Sequence, residues 1–170
     1  MKKRRSVQRR PHSRRLLWAP WRYSYIAQAN KQKSCLFCRI VLAKQDRKNL
    51  VVIRRKHSFA VLNRYPYNNG HVMLVPQRHV RTLGPLKDEE LVELVRLQEE
   101  MIGRLSRCLK PHGFNIGMNL GRVGGAGVPG HVHIHLVPRW VGDNNFMPTI
   151  AATKVISQSL AALYRQLISV

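Results

Sequence analysis

The sequence predicts an α+β fold: a sheet of about five antiparallel strands, one long helix and a second helix near the C-terminus. Short runs of β-branched and apolar residues recur between turn residues, as they do in strands. One longer segment, residues 88–109, instead repeats its apolar residues at helical spacing. The turn Asn68-Asn69-Gly70 separates two strand-like runs, and an Asn-Gly pair is a strong signal for an antiparallel hairpin.

The strands predicted before the long helix are short. Residues 50–54 and 58–62 are rich in strand-forming residues, with Lys56 and His57 at the turn between them. Residues 71–76 form the next predicted strand, directly after the Asn-Gly turn. Because short turns join these segments, we expect antiparallel pairing between them.

The long helix is predicted at residues 88–109. Its apolar stripe consists of Leu91, Leu94, Val95, Ile102, Leu105 and Leu109. Acidic residues begin the helix, where its dipole favours negative charge, and Pro111 and Gly113 end it. The predicted fold is completed by strands at 113–120 and 131–137 and a helix at 155–167.

Composition limits the class of protein. A chain of 170 residues with 44% hydrophobic residues has the length of one globular domain, which we place at residues 17–170, after a basic arm at residues 1–16. The formal net charge of +22 predicts an anionic partner, such as a nucleotide or a nucleic acid. No apolar run approaches the ~18 residues of a membrane span, so we expect no membrane association.

The basic arm is open to two interpretations. Residues 1–15 hold eight lysines and arginines and no acidic residue. Such a segment is typical of a solvated, disordered arm, and also of an arm that makes weak contacts with nucleic acid. Contacts with nucleic acid are sensitive to salt, which would separate the two interpretations.

The cysteines indicate a reducing compartment. They are three in number, and two of them form the motif Cys35-Leu36-Phe37-Cys38, which is typical of a metal site rather than of a disulfide framework. We therefore expect a cytoplasmic protein.

Three histidines alternate along the strand predicted at residues 131–137. In a strand, His131, His133 and His135 share one face with about 7 Å between neighbours, and the apolar residues between them face the core. A glycine-rich segment, residues 121–130, precedes them. Imidazoles titrate near neutral pH and a glycine-rich backbone can approach an anion closely, so the pattern predicts a site for an anion or a metal.

Two kinds of chemistry fit these histidines. A neutral imidazole can attack a phosphoryl group and form a covalent phospho-histidine, while a neighbouring histidine donates to the leaving oxygen. Backbone N–H groups of residues 122–128 would then bind the phosphate oxygens. Alternatively, the three histidines could bind zinc, for which His-x-His on a strand is also suitable. A histidine-rich strand without functional consequence is the third interpretation.

The histidine segment resembles the signature of the histidine-triad family of nucleotide hydrolases and transferases. His-Val-His-Ile-His-Leu-Val at residues 131–137 follows segments similar to the family's upstream strand, turn and strand, which are Phe59-Ala60-Val61-Leu62-Asn63-Arg64, Pro66 and Gly70-His71-Val72. Other segments resemble a bacterial subgroup that cleaves diadenosine tetraphosphate, some members by phosphorolysis; these are residues 18–22, 35–38, 115–121, 138–140 and 145–146. The resemblance covers residues 17–168 and implies the HIT-like fold.

The resemblance implies a role for each residue of the site. His133 would be the nucleophile on the α-phosphate, giving an adenylyl-histidine intermediate. His135 would hydrogen-bond at the phosphate, and His71 would orient or polarise His133. The implied substrate contacts come from Asn63 to the nucleoside, from Asn119 and the backbone of Ala126 and Gly127 to phosphate, and from Trp140 to the second nucleoside. A plain core tryptophan is the alternative for this last residue.

In family members that carry the cysteine pair, two histidines complete a structural zinc site. The corresponding residues here are Cys35, Cys38, His79 and His131, and such a closed site would stabilise the fold without activating water. The resemblance implies no organic cofactor. It also implies a homodimer formed through the long helix and a neighbouring strand.

One departure from the family pattern affects the predicted activity. Gly127-Val128-Pro129-Gly130 precedes His131, where many hydrolases of the family carry an amide or hydroxyl side chain at the first two positions. We predict a nucleotidyl-transfer enzyme that cleaves diadenosine tetraphosphate or a related dinucleoside polyphosphate, with phosphate or water as acceptor. The alternatives are a nucleoside phosphoramidate or adenylated-nucleic-acid hydrolase of the same family, and a non-catalytic nucleotide- or RNA-binding module.

Overall fold

The structure is a computed structural model, which describes residues 34–143 and 156–170. In chain order its elements are α1 (Leu36–Ala43), α2 (Asp46–Asn49), β1 (Val51–Arg54), β2 (Ser58–Leu62), β3 (Val72–Pro76), α3 (Asp88–Leu109), β4 (Gly113–Gly117), β5 (Ile134–Arg139) and α4 (Leu160–Ile168). The basic arm at residues 1–16 and the motif segments at 18–22 and 145–146 lie outside the described residues. Within the described part of the chain, no helix is long and apolar enough to cross a membrane.

The five strands form one antiparallel sheet in the order β1-β2-β3-β5-β4. β3 lies at the centre and pairs with β5, where Met73 is opposite His135. β4 pairs with the other edge of β5, where Gly117 is opposite the same histidine. The long helix α3 connects β3 to β4. The predicted α+β fold with a five-stranded antiparallel sheet is confirmed.

Alternation along the strands gives the sheet two different faces. On one face, Leu74 and Leu136 belong to the larger apolar cluster, which includes the buried residues of α3 and α4. On the other face, Phe59 and Val75 form a smaller cluster with Phe37 of α1. A fully buried side chain of this kind contributes about 1.5–3 kcal/mol to stability. The sheet is therefore held between α3 and α4 on one side and α1 on the other.

The long helix has the predicted bounds, but its buried stripe includes Leu97 and Met101, which were not predicted, and leaves out Val95. The buried residues of α3 are Glu90, Leu94, Leu97, Met101 and Leu105. Val95, predicted to belong to this stripe, is 57% exposed. Adjacent residues of a helix are about 100° apart around its axis, so Leu94 and Val95 cannot both face the sheet. The prediction for Val95 is wrong.

The two short helices at the start of the described chain were not predicted. α1 begins directly after Cys35, and its buried residues are Phe37 and Ile40. A segment this short gives too few periods to separate a helix from a strand. Leu50, predicted to begin the first strand, instead ends α2 in the left-handed conformation with φ of 61°, so β1 begins one residue later.

Three predicted strands are shorter or shifted. β5 begins at Ile134 rather than at residue 131, because the backbone N–H of Val132 donates to the carbonyl of Val80, outside the ladder, at 2.7 Å. β4 ends at Gly117 rather than at residue 120, and β3 begins at Val72 rather than at residue 71. The histidine segment is therefore part strand and part extended loop.

The C-terminal helix starts later than predicted. α4 begins at Leu160, because the Oγ of Ser159 accepts a hydrogen bond from the backbone N–H of Ala162 at 3.2 Å and so caps the helix. Residue 155, the predicted start, lies outside the described residues.

A buried carboxylate fixes the first turn of α3. Glu90 accepts hydrogen bonds from the Arg78 guanidinium, at 2.7 and 3.1 Å, and from the backbone N–H of Lys87 at 2.7 Å. The Arg78 hydrogen bonds, followed by that from Lys87, lower the pKa of Glu90 from 4.5 to about 2. A carboxylate with a lowered pKa in the folded state stabilises the fold above its ordinary pKa, and this contribution is lost as the pH falls toward the folded value.

We predict that Glu90→Gln lowers the melting temperature at pH 7 by about 5 °C, because it removes a buried charged hydrogen-bond acceptor. The difference from the parent protein should shrink as the pH falls from 4.5 toward 2, the window set by the lowered pKa. Calorimetry across this range measures it, with the exposed neighbour Glu89→Gln as control. A difference that stays constant down to pH 2.5 would contradict the assignment.

Candidate active site and metal site

The three alternating histidines lie on the face of the sheet that α1 covers. His135 belongs to β5, whereas His131 and His133 occupy the extended segment before it. His131 and His133 are buried, and His135 is half-buried. The ring centroids of His133 and His135 are 4.8 Å apart, and the ring of Phe37 lies 5.3 Å from His131 and 5.1 Å from His133. The apolar residues between them, Val132 and Ile134, belong to the opposite cluster, as the alternation predicts.

His133 has a defined tautomer. Its Nδ1 lies 3.0 Å from the backbone carbonyl oxygen of His131. A carbonyl can only accept, so Nδ1 must carry the proton and donate it. Burial lowers the pKa of His133, which favours the neutral ring. A neutral imidazole with its proton on Nδ1 leaves the lone pair on Nε2, the form required of a nucleophile.

The tautomer of His71 is equally constrained. Its Nδ1 accepts a hydrogen bond from the backbone N–H of Tyr67 at 3.1 Å, so this nitrogen carries no proton. The neutral ring then carries its proton on Nε2, which lies 2.9 Å from Nδ1 of His135. His71 donates to His135, and the proton of a neutral His135 is left on Nε2. His71 thus fixes the tautomer of His135.

His71 was expected to act on His133, and the contacts connect the two residues through His135. His71 is hydrogen-bonded to His135, and the His135 ring meets that of His133 edge-on. Sequence reasoning missed Tyr67, whose ring centroid lies 4.6 Å from His71 and 5.5 Å from His135. Its position in the turn four residues before His71 was the available signal, since a turn residue can contact the start of the following strand.

Asn63 lies next to His71. Its Oδ1 accepts from the backbone N–H of Tyr65 at 2.9 Å, which fixes the orientation of the amide. Its Nδ2 is therefore the atom that faces Nδ1 of His71, at 3.3 Å. The predicted nucleoside-contacting residue thus meets the histidine network directly.

The predicted phosphate-binding residues form part of a compact glycine-rich loop. The Nδ2 of Asn119 donates to the carbonyl of Gly125 at 3.3 Å, and the N–H of Ala126 donates to the carbonyl of Gly121 at 3.2 Å. Val128 packs against the apolar cluster on the histidine face. Two of the expected phosphate donors therefore also hold the loop in shape.

Trp140 lies one residue beyond the end of β5 and is half-buried. Its backbone N–H donates to the carboxylate of Asp143 at 3.1 Å. This carboxylate also accepts from Arg139, so the segment that follows β5 is tied back on itself. Contact of Trp140 with a nucleoside stays a prediction.

A second cluster lies beside the histidine network. Ligand atoms of Cys35, Cys38, His79 and His131, the four residues predicted to bind zinc, lie within 4.8 Å of one another. The Nδ1 of His131 lies 3.4 Å from the sulfur of Cys35 and 3.7 Å from the sulfur of Cys38. The Nδ1 of His79 lies 3.2 Å from the sulfur of Cys38. A tetrahedral zinc ion with ordinary bond lengths requires sulfur–nitrogen separations of about 3.6 Å. The donor set and its spacing fit zinc.

The surroundings of His131 also fit a metal ligand. Its Nε2 lies 2.8 Å from the carbonyl oxygen of Pro76 and donates to it, which leaves the Nδ1 lone pair facing the sulfurs. Burial, followed by the neighbouring Cys35, raises the pKa of the Cys38 thiol, a cost that zinc coordination would offset. The alternative of a three-histidine zinc site is not supported, because the ligand atoms that converge among the described residues are those of Cys35, Cys38, His79 and His131, so His131 is the one histidine of the three in this cluster.

Comparison with known proteins identifies the family of this chain. A family model described as the HIT domain matches residues 44–141. The chain is 43% identical over 152 residues to the AP-4-A phosphorylase of Mycobacterium tuberculosis, an alignment that covers 85% of this chain and 77% of the relative. It is 36% identical over 93 residues to the asymmetrical bis(5'-nucleosyl)-tetraphosphatase of Schizosaccharomyces pombe, covering 55% of this chain and 50% of that protein.

Solved structures agree on the fold. A zinc-bound histidine triad family protein from Mycobacterium smegmatis superposes with a TM-score of 0.65 and 23% identity, covering 80% of this chain and 91% of the other. A HIT family protein from Bacillus anthracis gives a TM-score of 0.58 with 26% identity, covering 64% and 74%. On the family model, the relatives and the fold together, this chain belongs to the HIT-domain family.

Proposed function

We propose that this protein cleaves dinucleoside polyphosphates, with diadenosine tetraphosphate as the substrate, by transferring a nucleotidyl group through His133. The observation that carries the proposal is the hydrogen bond from Nδ1 of His133 to the His131 carbonyl at 3.0 Å, which leaves Nε2 as the nitrogen with the lone pair when the ring is neutral. The identity of 43% to an AP-4-A phosphorylase supports the substrate class.

The proposed reaction has two displacements at the same phosphorus. The lone pair of His133 Nε2 forms a bond to the α-phosphorus, and the bond from phosphorus to the bridging oxygen breaks, so the remaining nucleotide leaves with that electron pair. An oxygen of phosphate or water then attacks the adenylyl-histidine, and the electrons of the phosphorus–nitrogen bond return to Nε2. Diadenosine tetraphosphate would yield ATP and then ADP with phosphate as acceptor, or AMP with water.

Other histidines would stabilise the charge that develops. The ring of His135 lies 4.8 Å from that of His133 and its Nε2 is buried, and we assign the Nε2–H to donate to an oxygen of the reacting phosphate. His71, bonded to Nδ1 of His135 at 2.9 Å, would hold that ring in place. This role differs slightly from direct polarisation of His133, since the hydrogen bond supports His135. Phosphoryl chemistry depends mainly on such positioning and charge stabilisation.

The glycine-rich loop would bind the phosphate chain. Gly121 and Gly125 have φ of 72° and 85°, conformations that suit glycine and turn the backbone tightly. The N–H of Gly127 and the second hydrogen of the Asn119 amide are the proposed donors to phosphate oxygens. The N–H of Ala126 would join them only by sharing its hydrogen bond to the carbonyl of Gly121. Asn63 and Trp140 are the proposed nucleoside contacts.

A structural zinc ion is proposed at the second cluster. Zinc bound by Cys35, Cys38, His79 and His131 would supply a covalent tie between α1, the segment after β3 and the segment before β5. With four protein ligands the ion would have no open position, so its role would be to hold His131 rather than to take part in the reaction.

We predict that His133→Ala lowers turnover of diadenosine tetraphosphate by about 10⁴-fold or more, because the nucleophile is lost. With substrate labelled at the α-phosphate, the parent protein should retain acid-labile label and the variant none. The matched control is His57→Ala, since the hydrogen bond of His57 to Glu93 is made by its backbone N–H. Turnover near the parental rate in His133→Ala would exclude the nucleophile assignment.

We predict that phosphate is the acceptor, so ADP should form in proportion to added phosphate. Gly127 and Val128 offer no hydroxyl or amide side chain to orient a water molecule, and the phosphorylase name of the relative supports this choice. Chromatography of the products with and without phosphate measures it. AMP released at the same rate regardless of phosphate would establish hydrolysis instead.

We predict that the full-length protein binds one zinc ion per chain and that Cys38→Ser loses it. The melting temperature should then fall by about 10 °C or more, because the binding energy of a structural zinc contributes to folding. Cys108→Ser is the control, since Cys108 lies on α3 with its sulfur near the carbonyl of Gln166. Elemental analysis measures the zinc content and calorimetry the melting temperature. A parent protein without zinc, together with a Cys38→Ser variant that melts at the same temperature as the parent, would refute the site.

A further inference from the structure

The turn that leads into β3 contains a polar network that the proposed reaction does not yet explain. The amide of Asn63 has one orientation, because its Oδ1 accepts from the N–H of Tyr65 at 2.9 Å. Its Nδ2 then faces Nδ1 of His71 at 3.3 Å, as a donor toward an acceptor. A backbone N–H cannot reverse its role, so the polarity of this end of the network is fixed by the chain itself.

Two donors meet the same nitrogen. Nδ1 of His71 faces the N–H of Tyr67 at 3.1 Å as well as the Asn63 amide. A proton on that nitrogen would point at other protons, so this arrangement excludes it and places the proton on Nε2. Nε2 of His71 then donates to Nδ1 of His135 at 2.9 Å, so Nδ1 of His135 is also an acceptor.

We propose that Asn63 is a positioning residue, which acts through His71 to hold His135 in the tautomer that presents Nε2–H to the reacting phosphate. The inference rests on the proposed nucleotidyl transfer and deepens it. Without the donors on Nδ1, His71 could present a lone pair to His135, and His135 would then turn its own proton inward. The reacting centre would lose a donor where negative charge develops.

This role differs from the nucleoside contact predicted from the family resemblance. A residue that only contacts the nucleoside affects substrate affinity and leaves the histidines of the free protein unchanged. A positioning residue affects the histidines before any substrate binds, and its loss reduces kcat more than it raises KM. The two roles are therefore separable by measurement on the same variant.

The decisive variant is Asn63→Asp, which keeps the size of the side chain and the acceptor for Tyr65. It replaces the Nδ2 donor with a carboxylate oxygen, which favours a proton on Nδ1 of His71. Asn115→Asp is the matched control, since it makes the same change of charge on β4, where Oδ1 accepts from Arg139 at 2.5 Å. Asn63→Ala, which leaves only the Tyr67 donor, completes the series.

Two readouts test the proposal on the full-length protein. In ¹⁵N-histidine NMR spectra, assigned with His71→Asn and His135→Asn, the parent should show both rings protonated on Nε2 alone. Asn63→Asp should move the proton of His71 from Nε2 to Nδ1, and the proton of His135 from Nε2 to Nδ1, which then donates to His71. With diadenosine tetraphosphate, kcat should fall about 10- to 100-fold in Asn63→Asp, and less in Asn63→Ala, with KM changed less than about threefold.

Several results would overturn the inference. A parent spectrum with the proton on Nδ1 of His71 would do so without any variant, even if Asn63→Asp failed to fold. Raised KM with unchanged kcat and unchanged histidine signals in Asn63→Asp would make Asn63 a nucleoside contact only. If the parent spectrum shows the expected tautomers but the protein does not cleave the dinucleotide, the proposed function fails while the tautomer assignment stands.

Discussion

The structure depends on the hydrogen bonds of a single buried residue, His131, which joins the cysteine cluster to the histidine network. Its Nδ1 faces the sulfurs of Cys35 and Cys38, and its Nε2 donates to the carbonyl of Pro76 at 2.8 Å. Its own backbone carbonyl accepts from Nδ1 of His133 at 3.0 Å. A group that holds the imidazole of His131 therefore also holds the oxygen that selects the tautomer of the proposed nucleophile. The cysteine cluster and the histidine network are therefore connected through the side chain and the backbone carbonyl of His131.

A second constraint shapes the turn between β2 and β3. Gly70 has a φ of 77°, and a Cβ added there would lie 2.6 Å from Leu109 and 2.9 Å from Pro138. The amide of Asn68 donates to the carbonyl of Pro138 at 3.1 Å and to Asp143 at 2.8 Å. The turn thus packs against the end of α3 and is hydrogen-bonded to the end of β5. This contact sets where the backbone of the turn meets His71.

Sequence patterns predicted most of the fold because its elements carry local signals. The strand at Ser58–Leu62 and the helix at Asp88–Leu109 have the predicted bounds, since a continuous run of apolar residues marks the strand and helical spacing extends along the helix. Misjudged ends have non-local or single-residue causes. One is the hydrogen bond of Val132 to Val80, and another is the left-handed conformation of Leu50. The helix α1 was missed because its eight residues are too few to show a helical repeat of apolar side chains.

The sequence by itself determined which chemistry was available: alternating histidines, a glycine-rich loop and a cysteine pair were all readable, and so was the family. The tertiary structure alone decided how the histidines divide between the sites. His131 faces cysteines 96 and 93 residues away, and His71 meets His135 across 64 residues. Identical side chains acquire different tasks from the partner that each ring nitrogen meets. The partners of His131 and His135 come from the start of α1 and from the residue before β3, which the fold brings beside the histidine segment. Spacing along the chain does not encode such hydrogen-bond polarity.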